Sequence, residues 1–374
     1  MRLSHVLLAA AISTCALHCL AADAPTGTDY KIIKKVKVGG AGGFDYVFAD
    51  ADGRRLYVPR SAGRGGGGGV IPRVDVFDLD TLAPAGSIPN TTGVHGVAVD
   101  PKSGHGFSSS NPVVMFDTKT LATIKTIQVD GSPDGIFLEP ATERIYVLSH
   151  RAPNVSVLDA KDGSIVGTID LGGGPEQGQS DGNGHVFIDL EDKDQVAAVD
   201  ANTMKITAHY DLAGKGGGPG ALGLDATNHI LFVFCHDPQT CVIMKADDGS
   251  IITTLPIGMG VDAGGFNPTT NEAFCSTGDG VLTFIKESSP TDFAVEQNVK
   301  TMRGAKTCTL DSKTNQIFLI TAEYAAPTTR AAAPPANGGG AGGPGGGGGG
   351  GGGGRRGGRG QMVPDSFTIL SVGK

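Results

Sequence analysis

The sequence predicts an all-β protein, a β-propeller of seven four-stranded blades, and three observations carry that prediction. Seven times an apolar run ends in a small polar or acidic residue, passes through a turn and resumes seven residues later at an aromatic: Asp50/Tyr57, Asp100/Phe107, Glu139/Tyr146, Ser180/Phe187, Asp225/Phe232, Asn267/Phe274 and Asp311/Phe318. These anchors lie 50, 39, 41, 45, 42 and 44 residues apart, about the length of one four-stranded blade. Within each copy the apolar positions alternate with the period of a strand, and helical periodicity is absent, which argues against stacked helix pairs.

Residues 1–22 have the build of a secretory signal: Arg2, an apolar stretch from Val6 to Ala16, then Ala21 and Ala22 as small residues for cleavage. The apolar part is short for a bilayer span, so a periplasmic or secreted protein without a retained anchor is expected. Residues 23–374 form one expected domain, because the repeats run through without a break. Tyr30–Val38 reads as a strand with no blade before it, and its four lysines suit an outer edge that must not pair with another sheet.

The third copy illustrates a blade. Asp134–Glu139 is a buried inner strand, Pro140–Glu143 a turn and Arg144–Leu148 the return strand. Asn154–Asp159 then alternates with period two, Lys161–Gly163 turns, and Ser164–Ile169 closes the blade. In the seventh copy Lys306–Leu310, Gln316–Ile320 and Ser366–Val372 supply only three strands before Lys374. The N-terminal strand is therefore expected to complete the last blade and lock the ring.

Segments such as Gly53-Arg54-Arg55-Leu56-Tyr57-Val58, Glu143-Arg144-Ile145-Tyr146-Val147 and Val155-Ser156-Val157-Leu158-Asp159-Ala160 resemble the YVTN-type (YncE-like) β-propeller repeats of secreted bacterial proteins. The resemblance spans roughly residues 30–374. It implies the fold, and it implies no shared catalytic motif, since such folds host many functions.

Two low-complexity tracts interrupt the repeat, at about 61–72 and 325–364, the second holding ten consecutive glycines before Arg355-Arg356-Gly357-Gly358-Arg359. Glycine loses much freedom on ordering and buries no side chain, so both are expected to be disordered, between the second and third strands of the first and seventh blades. The arginines could hold phosphates. A formal charge of −8, a pI near 5.6 and an export signal nonetheless disfavour a nucleic-acid partner.

Cys235 and Cys241 flank a strand connection, Cys-His-Asp-Pro-Gln-Thr-Cys, and in an oxidising compartment a disulfide is expected, with free thiols or a Cys-His-Cys metal site as alternatives. Cys275 and Cys308 read as small buried apolar residues. Gly218-x-Gly220-x-x-Gly223 matches a dinucleotide fingerprint but leads into a strand, with no helix to hold a pyrophosphate. The run Asp189–Asp194 concentrates acids without the spacing of a calcium loop and reads as a solvated charge run.

The best site signal is a convergence. Five residues before each anchor stand Asp45, His95, Asp134, Pro175, Gly220, Asp262 and Lys306, with Glu176 beside the proline, and in a propeller this position faces the mouth of the central channel. The ends of the second strands add Arg60, His150, Glu191, His236 and Glu323 to that face, whereas His105, His185 and His229 fall in the opposite turns. Carboxylates and imidazoles around one funnel can bind a divalent metal, with His95, His150 and His236 as candidate ligands, or tune one another for acid and base work. Propeller funnels are also simply wet and therefore polar.

The expectation is a secreted, monomeric binding or scaffold module whose ligand, a protein or small molecule, meets Asp45, His95, Asp134, His150, Glu176, His236, Asp262 and Lys306. The competing expectation is a metal-assisted lactonase or lyase in which Asp134, Glu176 or Asp262 serves as base.

Overall fold

The computed structural model of the chain describes residues 29–40, 42–62, 70–152, 154–325 and 362–374. The expected signal at 1–22 and most of both glycine-rich tracts lie outside the described residues. No α-helix occurs among them, and no helix is long and apolar enough to cross a membrane.

Among the described residues, twenty-eight strands form seven four-stranded antiparallel sheets. A lone strand, β1 (Lys31–Lys37), comes first. Blade 1 is β2 (Phe48–Asp50), β3 (Arg55–Arg60), β4 (Arg73–Asp78) and β5 (Pro84–Pro89); blade 2 is β6 (Val97–Asp100), β7 (His105–Ser108), β8 (Val113–Asp117) and β9 (Thr123–Ile127). Blade 3 is β10 (Pro133–Glu139), β11 (Arg144–Ser149), β12 (Val155–Asp159) and β13 (Ile165–Ile169); blade 4 is β14 (Pro175–Ser180), β15 (His185–Leu190), β16 (Gln195–Asp200) and β17 (Lys205–Asp211). Blade 5 is β18 (Pro219–Asp225), β19 (Ile230–Cys235), β20 (Thr240–Lys245) and β21 (Ile251–Pro256); blade 6 is β22 (Val261–Asn267), β23 (Glu272–Thr277), β24 (Val281–Ser289) and β25 (Asp292–Lys300). Blade 7 is β26 (Cys308–Asp311), β27 (Gln316–Thr321), β28 (Thr368–Gly373) and, on its outer edge, β1.

The small polar or acidic residue repeated before each first turn has a local cause. Its side chain accepts main-chain N–H groups two or three residues on, as Asp50 does from Gly53, Asp100 from Lys102 and Ser103, Asp225 from Thr227, Asn267 from Thr269 and Asp311 from Lys313. That is an Asx turn, which tightens the hairpin. Four residues after each anchor the backbone is left-handed in every blade, at Arg54, Gly104, Glu143, Gly184, His229, Asn271 and Asn315. One strained geometry thus recurs seven times, and the aromatic three residues later enters the core in the same register.

Closure is visible in the packing. Seven apolar clusters occupy the seven seams between neighbouring blades, including the seam between blades 7 and 1, where Ile320, Phe367 and Ile369 meet Leu56, Val58 and Phe77. β1 pairs antiparallel with β28 from Lys31 opposite Gly373 to Lys37 opposite Thr368. Its lysines are exposed, as an outer edge requires. The buried Arg60 guanidinium lies over the Phe367 ring, 3.5 Å from its centroid, and bonds to the Gly39 carbonyl, so it clamps the same seam.

The cysteine expectation is overturned. Cys235 lies opposite Thr240 and Cys241 opposite Phe234, so the two are one step out of register and their side chains leave the sheet on opposite faces. Cys235 packs into the seam of blades 4 and 5 and Cys241 into that of blades 5 and 6. Both are buried free thiols, as are Cys275 and Cys308. Burial pushes the Cys235 thiol up to about 12 and Cys241 well above its ordinary value, so neither disulfide nor Cys-His-Cys metal site fits.

Candidate functional site

At one mouth of the channel five of the expected residues meet. Asp45 precedes β2, His95 precedes β6, Asp134 and Glu176 are the second residues of β10 and β14, and His150 follows β11. His95 Nδ1 lies 2.8 Å from Asp45 Oδ2 and 3.2 Å from Asp134 Oδ1. His150 Nε2 lies 3.0 Å from Asp134 Oδ2 and 3.2 Å from Glu176 Oε2. Each imidazole therefore sets one nitrogen between two carboxylates, and Asp134 is shared. Tyr46 Oη donates to Glu176 Oε1 at 2.6 Å. Because Tyr46 follows Asp45 in the chain, the polar circuit runs from blade 1 through blades 2, 3 and 4 and returns to blade 1 across the channel.

Glycine permits this convergence. A Cβ on Gly135 would stand 2.6 Å from the Glu176 carbonyl oxygen, so only glycine next to Asp134 lets blades 3 and 4 approach closely enough to share His150. Asp189, fully buried at the end of β15, fixes the neighbouring chain. Its Oδ1 accepts the main-chain N–H of Gln177 at 2.6 Å and of Glu176 at 3.3 Å, where the pairing of β14 with β15 is bulged. Burial raises the Asp189 carboxyl well above the usual carboxylate range.

Burial works against a charged His95, but its hydrogen bond to Asp45 and the charges of Asp134, Asp45 and Glu176 outweigh that, and its pKa is raised. The hydrogen bonds of His150 to Asp134 and Glu176 push its pKa up to about 10. Both carboxylates thus favour the protonated form of His150. Burial, followed by the Glu176, Asp134 and Asp45 charges, holds the Tyr46 hydroxyl well above the usual phenol value.

The remaining expected residues lie apart. Asp262 and Lys306 pair with each other on blades 6 and 7. His236 stands over the start of β18, where a Cβ on Gly220 would lie 2.7 Å from its Nε2. Among the described residues, the groups whose donor atoms lie within 4.8 Å of one another are Asp45, His95 and Asp134, and Asp134, His150 and Glu176; His236 belongs to neither. Arg60 is buried under Phe367 rather than facing the mouth. The acidic run is not a solvated one throughout: Asp189 is buried, and Asp192 and Asp194 accept the Gly174 and Gly218 N–H groups and so staple loops.

Beneath the circuit the channel encloses a cavity of about 420 Å³ between the inner strands, and Tyr46 and Glu176 line both. Gln177 crosses it, accepting from Leu222 N at 2.8 Å and donating to Gly264 O at 3.3 Å. Sequence reasoning missed Tyr46 and Asp189. The signal for Tyr46 was its place beside Asp45, and for Asp189 a charged residue inside an apolar run, Val186-Phe187-Ile188-Asp189-Leu190.

No family model matches the chain, and no curated protein matches it in sequence. Among solved structures it is similar to the crystal structure of the RRP9 WD40 repeats, at a TM-score of 0.68 and 9% identity, covering 92% of this chain and 98% of that one. At that identity the likeness concerns the fold alone, a β-propeller.

Proposed function

We propose that this chain is an exported propeller that binds a divalent cation at its funnel through Asp45, His95, Asp134, His150 and Glu176 and presents it to a small-molecule or protein ligand. The observation that carries the reading is the pair of three-residue donor groups sharing Asp134. Their mixed imidazole and carboxylate donors suit zinc or manganese better than an all-oxygen ion. An imidazole must lose its proton to ligate, so binding strengthens as pH rises. Export rests on the build of residues 1–22, and the YVTN-type resemblance supports the same assignment.

Metal analysis and thermal shift at pH 8 with zinc, manganese and calcium test this. A bound ion stabilises the fold by mass action, about 2.7 kcal/mol at one hundred times Kd, and His95→Ala or Asp134→Ala removes the shift. His105→Ala, in an opposite turn, retains it. No shift with any ion, or equal loss in the control, overturns the reading.

A metal-assisted lactonase or lyase is the second reading, favoured by the three-donor groups, since catalytic sites use three protein ligands and leave a position open. Lactone turnover that requires metal and vanishes in Asp134→Ala selects it over binding alone.

A further inference from the structure

We propose that a hollow between blades 4 and 5, on the face opposite the funnel, is a second ligand site, built for a small flat aromatic molecule carrying a positively charged nitrogen.

The hollow comes from a departure within the chain's own repeat. In five blades the third strand places, opposite the anchor aromatic, a residue that fills the seam to the next blade: Val76 opposite Tyr57, Met115 opposite Phe107, Val157 opposite Tyr146, Ile243 opposite Phe232 and Phe284 opposite Phe274; blade 7 sets Ser371 opposite Phe318. Blade 4 sets Ala198 opposite Phe187. In the outer strand the equivalent positions are Ile88, Ile127, Ile169, Leu255 and Val299, whereas blade 4 has Tyr210. The Tyr210 ring takes up part of the vacated space beside Phe187, with centroids 6.5 Å apart and planes inclined by 29°, and its hydroxyl donates to Ala246 O at 2.8 Å. A cavity of about 300 Å³ remains, floored by these two rings and walled by Ala198, Leu224 and Ala246. That is the lower end of the size range of small-molecule clefts, with the usual apolar and aromatic lining.

Its rim is polar and acidic. Asp181 Oδ2 takes the ring nitrogen Nδ1 of His185 at 2.7 Å, and Asp247 Oδ1 takes Nδ1 of His229 at 2.6 Å. Each pairing orients an exposed imidazole and leaves its Nε2 for a partner. Asp248 adjoins Asp247, and no lysine or arginine is among the described lining residues. Carboxylates at the rim repel an anion and attract a cation, while a flat ring on Phe187 and Tyr210 gains stacking and cation–π contact. Both features select an aryl amine or amidine over an aryl carboxylate.

The experiment uses the full protein with EDTA present, so that no metal occupies the funnel, and benzamidine as probe, followed by saturation-transfer NMR. Benzoate and guanidinium serve as comparisons. Benzamidine is expected to bind at least tenfold tighter than either. Ala198→Met, which installs the residue blade 2 uses, should weaken it at least tenfold, and Asp247→Asn, in an exposed turn, at least threefold. Asp134→Asn at the funnel should leave it unchanged. The proposal is overturned if benzamidine does not bind, if benzoate binds equally well, or if Asp247→Asn and Ala198→Met bind as the parent does. Should Ala198→Met fail to fold, unchanged binding by Asp247→Asn alone is enough to overturn it.

Discussion

Tyr30, just ahead of β1, ties the closing strand to blade 6, and replacing it tests how much that tie contributes. β1 pairs only within blade 7, but Tyr30 reaches into blade 6. Its buried ring stacks on Phe284 with centroids 3.7 Å apart and planes within 6°, and its hydroxyl donates to the buried Glu272. Its main-chain N–H and C=O both bond to the Gln297 amide, at 2.8 and 2.9 Å. The Lys374 ammonium lies 4.6 Å from the ring centroid and 2.8 Å from Glu272 Oε1, so both ends of the described chain converge on one buried carboxylate. Truncating a buried aromatic costs about 3–5 kcal/mol. Losing only the hydrogen bond to a charged acceptor costs about 1.5–3 kcal/mol.

Tyr30→Phe isolates the second term and Tyr30→Ala contains both. Urea unfolding of the two variants should therefore show losses of about 2 and about 5 kcal/mol, with the larger loss accompanied by faster amide exchange in β1 and β28. If Tyr30→Ala lay within about 1 kcal/mol of the parent, below what any buried aromatic truncation costs, the strand would merely decorate the edge. If the two variants were equal, the stack on Phe284 would contribute nothing.

Three further outcomes follow from the same geometry. Because the folded His150 pKa is raised to about 10, its contribution to stability is complete below the ordinary value near 6.5 and is lost as pH rises through the folded value. Asp134→Asn removes one cause of that shift, so its stability should fall less between pH 7 and 9, and parallel curves contradict the assignment. Thiol labelling under denaturing conditions should find Cys235 and Cys241 both free, and a reductant should leave the melting temperature unchanged; a shift would mean that a disulfide forms. Shortening residues 331–360 to a few residues should hardly alter the melting temperature, because loop-closure entropy varies slowly with length and the bridge between Tyr324 and Met362 lies outside the deletion; a cooperative loss would show that the tract packs on the body.

The fold was legible because propeller geometry is written locally. An acid, a left-handed turn and an aromatic at fixed spacing specify one hairpin, and seven copies specify a ring. The funnel was legible for the same reason, since equivalent positions in a repeat converge on one axis. What the spacing could not supply was depth and direction. His236 holds the same place in its blade as His150 yet belongs to neither donor group, because blade 5 begins Pro219-Gly220 where blade 3 begins Pro133-Asp134. Cys235 and Cys241 looked like a pair because they bracket one connection, whereas their register, odd by one, sends them to opposite faces. Asp189 looked solvated beside four charged neighbours, although it lies within β15, where every residue after His185 is buried.

In a repeat protein the shared positions answer to the ring, so specific chemistry must sit where one copy departs from the others. Blades 1, 2 and 3 place charge five residues before the anchor, blade 4 shifts its acid by one to Glu176 through a bulge held by Asp189, and the circuit of imidazoles and carboxylates closes only because of that shift. Across the molecule, blade 4 again departs, with Ala198 and Tyr210 replacing a bulky residue and an aliphatic one. Both candidate sites therefore involve the same blade. Grafting the blade 3 residues onto blade 4 at these positions should remove either site singly while leaving the seven seams filled, because each replacement is one the neighbouring seam already accommodates.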